Sequence, residues 1–398
     1  MKGMPMRRTH VALLITTFLA SHLTAHAFDT GSTGSLGALA PVSNTVITLP
    51  ADGILNYTTV NIPGGVTVSF TRNALNTPVI LLAQGDVVIN GTVHVNGSVG
   101  AAANSSALTA GGLGGPGGYQ GGNGGMKGLG NTVGSPGQGP GGGNATPHGT
   151  YGTLYGGLND FRTLIPLFGG SGGNGGTGTT TNFGPSGGGG AGALVIASNT
   201  KITVGGIVKA NGGDSGDCSA AGAGSGGALR FVAPEFNNTG TIESRGGCAS
   251  QGFGRVRLEY QTSPSGIGTP YPSPYTSNTL GPLTATSTPA LTNVPTVSIT
   301  AVGGTSAPGT PGGSFSTPDV SLPAPTTNPV PVTVTATNTP VGSVFQIRVI
   351  PQFGPLLTVY TTMSTGTFAS STATANVMLP VGVTSLLDVY GSYLLVGP

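Results

Sequence analysis

The sequence predicts an all-β protein: a right-handed parallel β-helix (solenoid) with Gly-rich insertions, followed by a small β-sandwich domain. Three observations carry that reading. Residues 79–97 (VILLAQGDVVINGTVHVNG) alternate apolar and polar side chains in three short runs, broken at Gly85-Asp86 and Asn90-Gly91. Looser copies return at 193–213 and 228–247, and about three short strands per unit is the rhythm of stacked coils. Beyond residue 295, six short runs at regular spacing suit a sandwich.

Composition points the same way. The 398 residues include 74 Gly and 31 Pro, more than a quarter of the chain, while charged residues make up 6%. A chain this poor in charge is not a charge-driven disordered tail. With Trp absent and the few apolar residues spread between glycines, it buries surface through many short segments. The net charge of +2 rests on Lys2, Arg7 and Arg8; without these three, the 13 Lys and Arg fall to 10 against 11 Asp and Glu. A near-neutral surface lacks the basic stripe that nucleic acid or anionic lipid requires.

Taken in order, residues 1–27 read as a signal peptide. A basic start leads into VALLITTFLA, and Ala25-His26-Ala27 supplies the small-x-small site for cleavage before Phe28. No later run reaches 18 apolar residues, so no membrane span is expected after cleavage. The protein is then exported: extracellular, on the cell surface or in the periplasm. Residues 28–260 form the expected β-solenoid domain, in which 54–70 give two strands around Pro63-Gly64-Gly65 as a first coil that covers an otherwise open end.

Gly-rich insertions follow, at about 101–150 and 169–192. From 111 to 143, 18 of 33 residues are glycine, written partly as GGL-GGP-GGY triplets that recur as GGS-GGN-GGT. Such chain is either a flexible linker or a bundle of extended three-residue-per-turn strands, packed where glycine lets backbones meet. Between the insertions lies a less glycine-rich island, 151–168. It is either a small cap on the flank or a ligand platform, with Tyr151, Tyr155 and Phe161 as the candidate contacts.

In the last coils, Val256, Leu258 and Tyr260 are expected inward. Arg230, Glu243, Arg245, Arg255, Arg257 and Glu259 are expected outward, meeting on one solvated face that resists aggregation. Residues 261–294 (TSPSGIGTPYPSPYTS and onward) read as a Pro/Thr/Ser-rich extended linker. The sandwich domain, 295–398, carries expected strands at 296–302, 332–337, 344–350, 356–362, 372–379 and 383–390.

Chemistry-bearing constellations are sparse. Cys218 and Cys248 each follow the end of a repeat unit, which favours a disulfide between neighbouring coils over a catalytic or metal-binding thiol. Outside the signal peptide the histidines are His94 and His148, with no G-x-S-x-G elbow and no zinc spacing beside them. Asp214 and Asp217, in GGDSGDC, are the one weak calcium candidate; the alternative is a pair of turn residues. A β-helix that cleaves polyanions would need carboxylate pairs and a row of Lys and Arg, and the latter is missing. No cofactor is expected.

Residues 44–97, from NTVITLPADG through GDVVINGTVHVNG, resemble the opening of uncharacterised glycine-rich exported proteins of Gram-negative bacteria. GDVVINGTVHVNG is also similar to the repeats of haemagglutinin-like and autotransporter-type adhesins, which fold as right-handed β-helices. The resemblance implies export and a right-handed β-helix more than any activity, and it brings no catalytic residues with it. The expectation is an exported structural or adhesive scaffold without catalysis, partnered by itself or by a surface polysaccharide. The alternative is a carbohydrate-binding or polysaccharide-active protein.

Overall fold

The computed structural model describes residues 28–128, 132–143, 164, 167–249, 252–281, 283, 296–309, 311 and 315–391. The described chain is all-β, without a helix. Among the described residues, no helix is long and apolar enough to cross a membrane.

The parallel β-helix expected from the repeats is not what the chain builds. Its parallel strands fall into separate sheets of five, six and four strands. The physical reason lies in the glycines. The strands are three to six residues long, and residues 95–192, 210–227 and 244–254 between them contribute none among the described residues. Glycine is depleted in strands because it has no side chain to pack and loses the most freedom when fixed. The repeats therefore supply narrow sheets, and the chain between them takes another form.

The first three strands are β1 (Thr45–Thr48), β2 (Ile54–Tyr57) and β3 (Val60–Ile62). Next come β4 (Thr67–Thr71), β5 (Val79–Ala83) and β6 (Val87–Ile89), then β7 (Thr92–His94), β8 (Ala193–Ser198) and β9 (Lys201–Val204). The last six are β10 (Ile207–Lys209), β11 (Ala228–Val232), β12 (Glu235–Asn238), β13 (Thr241–Glu243), β14 (Arg255–Glu259) and β15 (Tyr275–Ser277). The five-stranded sheet runs β1-β4-β7-β10-β13, the six-stranded sheet β2-β5-β8-β11-β14-β15, and the four-stranded sheet β3-β6-β9-β12.

Register explains the alternation in the sequence. In the six-stranded sheet Leu55, Leu81, Ile196, Phe231 and Leu258 stand one behind another. Val68, Val93, Val208 and Ile242 do the same in the five-stranded sheet, and Val60, Val87, Ile202 and Phe236 in the four-stranded one. All of these side chains meet in one core. Because side chains alternate with a period of two, every second residue is committed to that core and its neighbours face away.

The six-stranded sheet is buried on both faces. β8 and β11 are buried at every position, as their unbroken apolar spelling ALVIAS and ALRFV requires. On the outer face Leu82, Val195, Ala197 and Val232 pack under Leu283, with Phe28, Leu167 and Leu280 around them. Residues 261–281, read from composition as linker, lie against the last layer here. β15 pairs with β14, and Thr262 and Tyr271 bridge to Glu235 and Glu243.

The C-terminal region forms two antiparallel sheets. Its strands are β16 (Thr296–Val302), β17 (Thr305–Ser306), β18 (Val330–Thr337), β19 (Gln346–Pro351), β20 (Leu357–Tyr360), β21 (Thr365–Gly366), β22 (Ser371–Val377) and β23 (Ser385–Tyr390). One sheet runs β17-β16-β18-β22-β21 and the other β20-β19-β23. Val332, Val334, Ala373 and Ala375 from the first share a core with Phe345, Ile347 and Val349 from the second. Two sheets closing over one core make a β-sandwich.

A cavity at the centre of the parallel core should be costly. Ile196→Ala, at a fully buried position, is expected to lose about 2–5 kcal/mol in a urea titration. Val46→Ala, 66% exposed on β1, should stay within about 0.5 kcal/mol. Equal losses at the two positions would contradict the shared core.

Candidate functional site

The most distinctive part of the molecule is the glycine-rich chain that follows β7, β10 and β13. Its centre is the segment 184–192. Gly184, Gly187 and Gly190 donate their amides to Gly125, Gly122 and Tyr119 at 2.9, 2.8 and 2.8 Å. Ser186, Gly189 and Gly192 donate to Ala101, Ser98 and Val95, while Gly188 and Ala191 donate to Gly222 and Ser225. Three more segments donate into its carbonyls: Gly112 and Gly115 to Gly187 and Gly190, Gly170 and Gly173 to Ala191 and Gly188, Gly213 and Gly216 to Gly189 and Ser186.

One extended segment therefore has six neighbours, and each is met at every third residue. The residue numbers rise together for 112–115 and 222–225 and run oppositely for the other four, so both directions occur. A three-residue repeat of lateral bonds belongs to extended threefold helices of the polyproline-II type. The GGX triplets are thus an ordered bundle, the second of the two readings the sequence allowed.

At most positions only glycine fits this spacing. A Cβ on Gly187 would lie 2.1 Å from the Gly173 carbonyl oxygen, and one on Gly190 2.0 Å from that of Gly170. The few side chains inside serve the backbone. Ser186 Oγ accepts from the Ala101 amide at 2.7 Å, and Ser225 Oγ from the Ser171 amide at 2.9 Å. A buried amide must be paired, so these bonds set which segments can be neighbours.

The layer ends at the disulfide. Cys218 and Cys248 are bonded with Cα atoms 5.6 Å apart and 30 residues apart in sequence, as the repeat ends imply. The bond is compatible with export to an oxidising compartment. Asp214 lies close enough to both sulfurs for a three-ligand cluster, but the sulfurs are spent on each other. Asp214 accepts from the Cys248 amide at 2.6 Å. Asp217 accepts from the Ser219 hydroxyl and amide at 2.6 and 2.9 Å, which hold its carboxyl below the usual range. Asp217 of the weak calcium candidate thus serves as a turn acceptor, and Asp214 bonds across to the Cys248 segment 34 residues away.

The expected solvated charged face is a correction. Arg230 and Glu259 are 1% and 0% exposed on the outer face of the six-stranded sheet, beneath the stretch that carries Gly281. Arg230 and Arg257 stand directly opposite each other on β11 and β14. Glu259 neutralises the pair, accepting from Arg230 Nε at 2.8 Å and Arg257 Nε at 2.5 Å. It also accepts from the Gly281 amide at 2.6 Å. Burial pushes the Glu259 carboxyl up, but the Arg230, Arg257 and Gly281 contacts outweigh it and leave the group below its usual range.

Glu243 and Arg245 belong to a different surface, beside the five-stranded sheet. Burial again raises the Glu243 carboxyl, and Asn211 at 2.8 Å, Lys209 at 3.2 Å and Arg245 at 3.1 Å bring it below the ordinary value. Arg245 stacks over Tyr271, 4.1 Å from the ring centroid. His94 stands in register with Lys209, and burial followed by the Lys209 charge lowers its pKa. Tyr151, Tyr155, Phe161 and His148 lie outside the described residues. The end of their island does not: Leu164 packs against Ala193 and Ala228.

No family of known proteins, no curated protein and no solved structure matches the chain.

The glycine layer and the buried charge make separate predictions. Gly187→Ala should cost about 1–3 kcal/mol or more by overpacking, against almost nothing for Gly64→Ala, where the nearest atom to a new Cβ is 3.9 Å away. Paired serine substitutions at Cys218 and Cys248 should lose about 2–5 kcal/mol. Both are read from denaturant midpoints.

Glu259→Gln should cost about 3–5 kcal/mol by stranding a buried arginine. The folded carboxyl titrates below its unfolded value of 4.5. Its contribution is therefore present above that pH and lost as pH falls through the folded pKa. Unfolding midpoints measured from pH 6 down to about pH 3 should drop in the parent and flatten in the variant.

Proposed function

We propose that the protein is an exported structural or adhesive protein of the cell surface or extracellular matrix, acting as a scaffold without catalysis. The observation that carries the reading is the six-neighbour glycine layer. Among the described residues its buried interior is almost wholly backbone, which gives a stiff body and contact area. The signal-peptide pattern of 1–27 and the disulfide support export. The likeness to glycine-rich exported proteins and to adhesin repeats supports the same setting.

Self-association is the expected partner interaction. β1 is the terminal strand of the five-stranded sheet, and Val42 and Val46 are 94% and 66% exposed beside it. An open edge with apolar flanks is a template for a further strand.

Two measurements test the reading. Purified 28–398 mixed with soluble and insoluble polysaccharides, with and without calcium, should release no reducing ends; product release would overturn the non-catalytic scaffold. Light scattering should show mass rising with concentration, and a strict monomer at high concentration would remove self-association.

A further inference from the structure

The two ends of the parallel stack are finished differently. At the C-terminal end residues 261–277 add a last layer. β15 pairs with β14, Thr262 and Tyr271 bridge to Glu235 and Glu243, and the Asn238 amide bonds to the Gly266 carbonyl. That layer carries Pro264, Pro270, Pro272 and Pro274. Proline has no N–H to offer a further strand, so this end is blunted.

At the N-terminal end the first layer is residues 36–48. The Leu36 and Leu39 amides each bond at 2.9 Å, to the Asn56 and Thr59 carbonyls, and β1 lies on β4. Among the described residues no strand pairs with the other edge of β1. That strand reads TVIT, with neither proline nor charge, and residues 30–51 contain no charged side chain. Nothing in its spelling defends the edge.

The same end is hollow. Leu36, 52% exposed, joins Ile47, Leu49, Leu55 and Tyr57 in lining a cavity of about 410 Å³ beside β1 and β2. The six-stranded sheet stops at β2, so the inward row that begins at Leu55 has no strand above it to close the space.

We propose that β1 pairs antiparallel with β1 of a second copy across a two-fold axis, giving a closed head-to-head dimer in which the two cavities meet. The inference rests on the self-association reading and names its geometry. Pairing about Val46 sets outward residues beside outward ones: Val46 meets its twin, and Thr45 meets Ile47 of the second copy on the core side. A two-fold axis brings like charges face to face, and this end has none to repel. The proline-bearing end cannot repeat the contact, so association stops at two copies. A four-residue strand and one cavity per copy make a small interface, so dimer and monomer exchange with concentration.

The test is sedimentation equilibrium of purified 28–398 over a wide concentration range, beside Val46→Lys and Val46→Cys. The mass of the parent should rise and level off at two copies. Val46→Lys should stay at one copy across the same range with an unchanged melting temperature. Should it fold poorly, Thr48→Lys, exposed on the same strand, reads the same contact. Under mild oxidation Val46→Cys should cross-link to its twin, with the Cys218–Cys248 bond left intact.

A mass that climbs past two without levelling would keep self-association and overturn the closed dimer. So would a dimer that survives the lysine variants, or one in which Val46→Cys fails to cross-link. A parent that stays at one copy would leave the edge to some other strand and remove self-association altogether.

Discussion

A peptide N–H taken out of water must find a carbonyl, and most of this molecule is arranged around how glycine meets that demand. In a sheet a strand has two neighbours in the hydrogen-bonding plane and presents side chains above and below. The segment 184–192 instead directs successive amides and carbonyls around its own axis and is met on all sides. Glycine at six of its nine positions makes that close approach possible. The conformational entropy lost in fixing glycine is large, and a dense set of main-chain bonds, each worth about 0.5–1.5 kcal/mol net, offsets it.

The sheets and the glycine layer depend on each other. Inward rows such as Leu55 to Leu258 hold strand ends in register, so the chain leaving β7, β10 and β13 starts at regular intervals. Those intervals let Gly189 meet Ser98 and Gly213 meet Gly189. In return the layer holds the described glycine-rich segments 95–125 and 169–192, which would otherwise carry a heavy ordering cost between two paired strands. The disulfide links the chain after β10 to the chain after β13, and the Arg230–Glu259–Arg257 group ties β11 to β14.

Much of this was legible in the chain, for physical reasons that differ by element. The sandwich strands were readable because Val332, Val334 and Ala336 alternate with polar residues over a half-buried sheet, and β18 is buried in that alternation. The cysteines were readable from their position after each repeat. The architecture of the repeats was not, since alternation shows which residues face inward but not how far a sheet continues before glycine interrupts it. Period three likewise allowed an ordered bundle beside a flexible linker, but did not show that one segment would have six partners. Arg230 and Glu259 do face outward, as their register implies, but they are covered rather than solvated: Gly281 lies against them and bonds Glu259, from a stretch whose Pro and Ser content reads as linker.

The glycine layer also has a mechanical meaning. Tension along 184–192 must shear its bonds to six surrounding segments together, whereas a hairpin pulled at one end opens one bond at a time. Because neighbours run in both directions, no pulling direction finds them all aligned for easy slip. The corner of this protein is built like a cable, with strength in its cross-section rather than in any single strand.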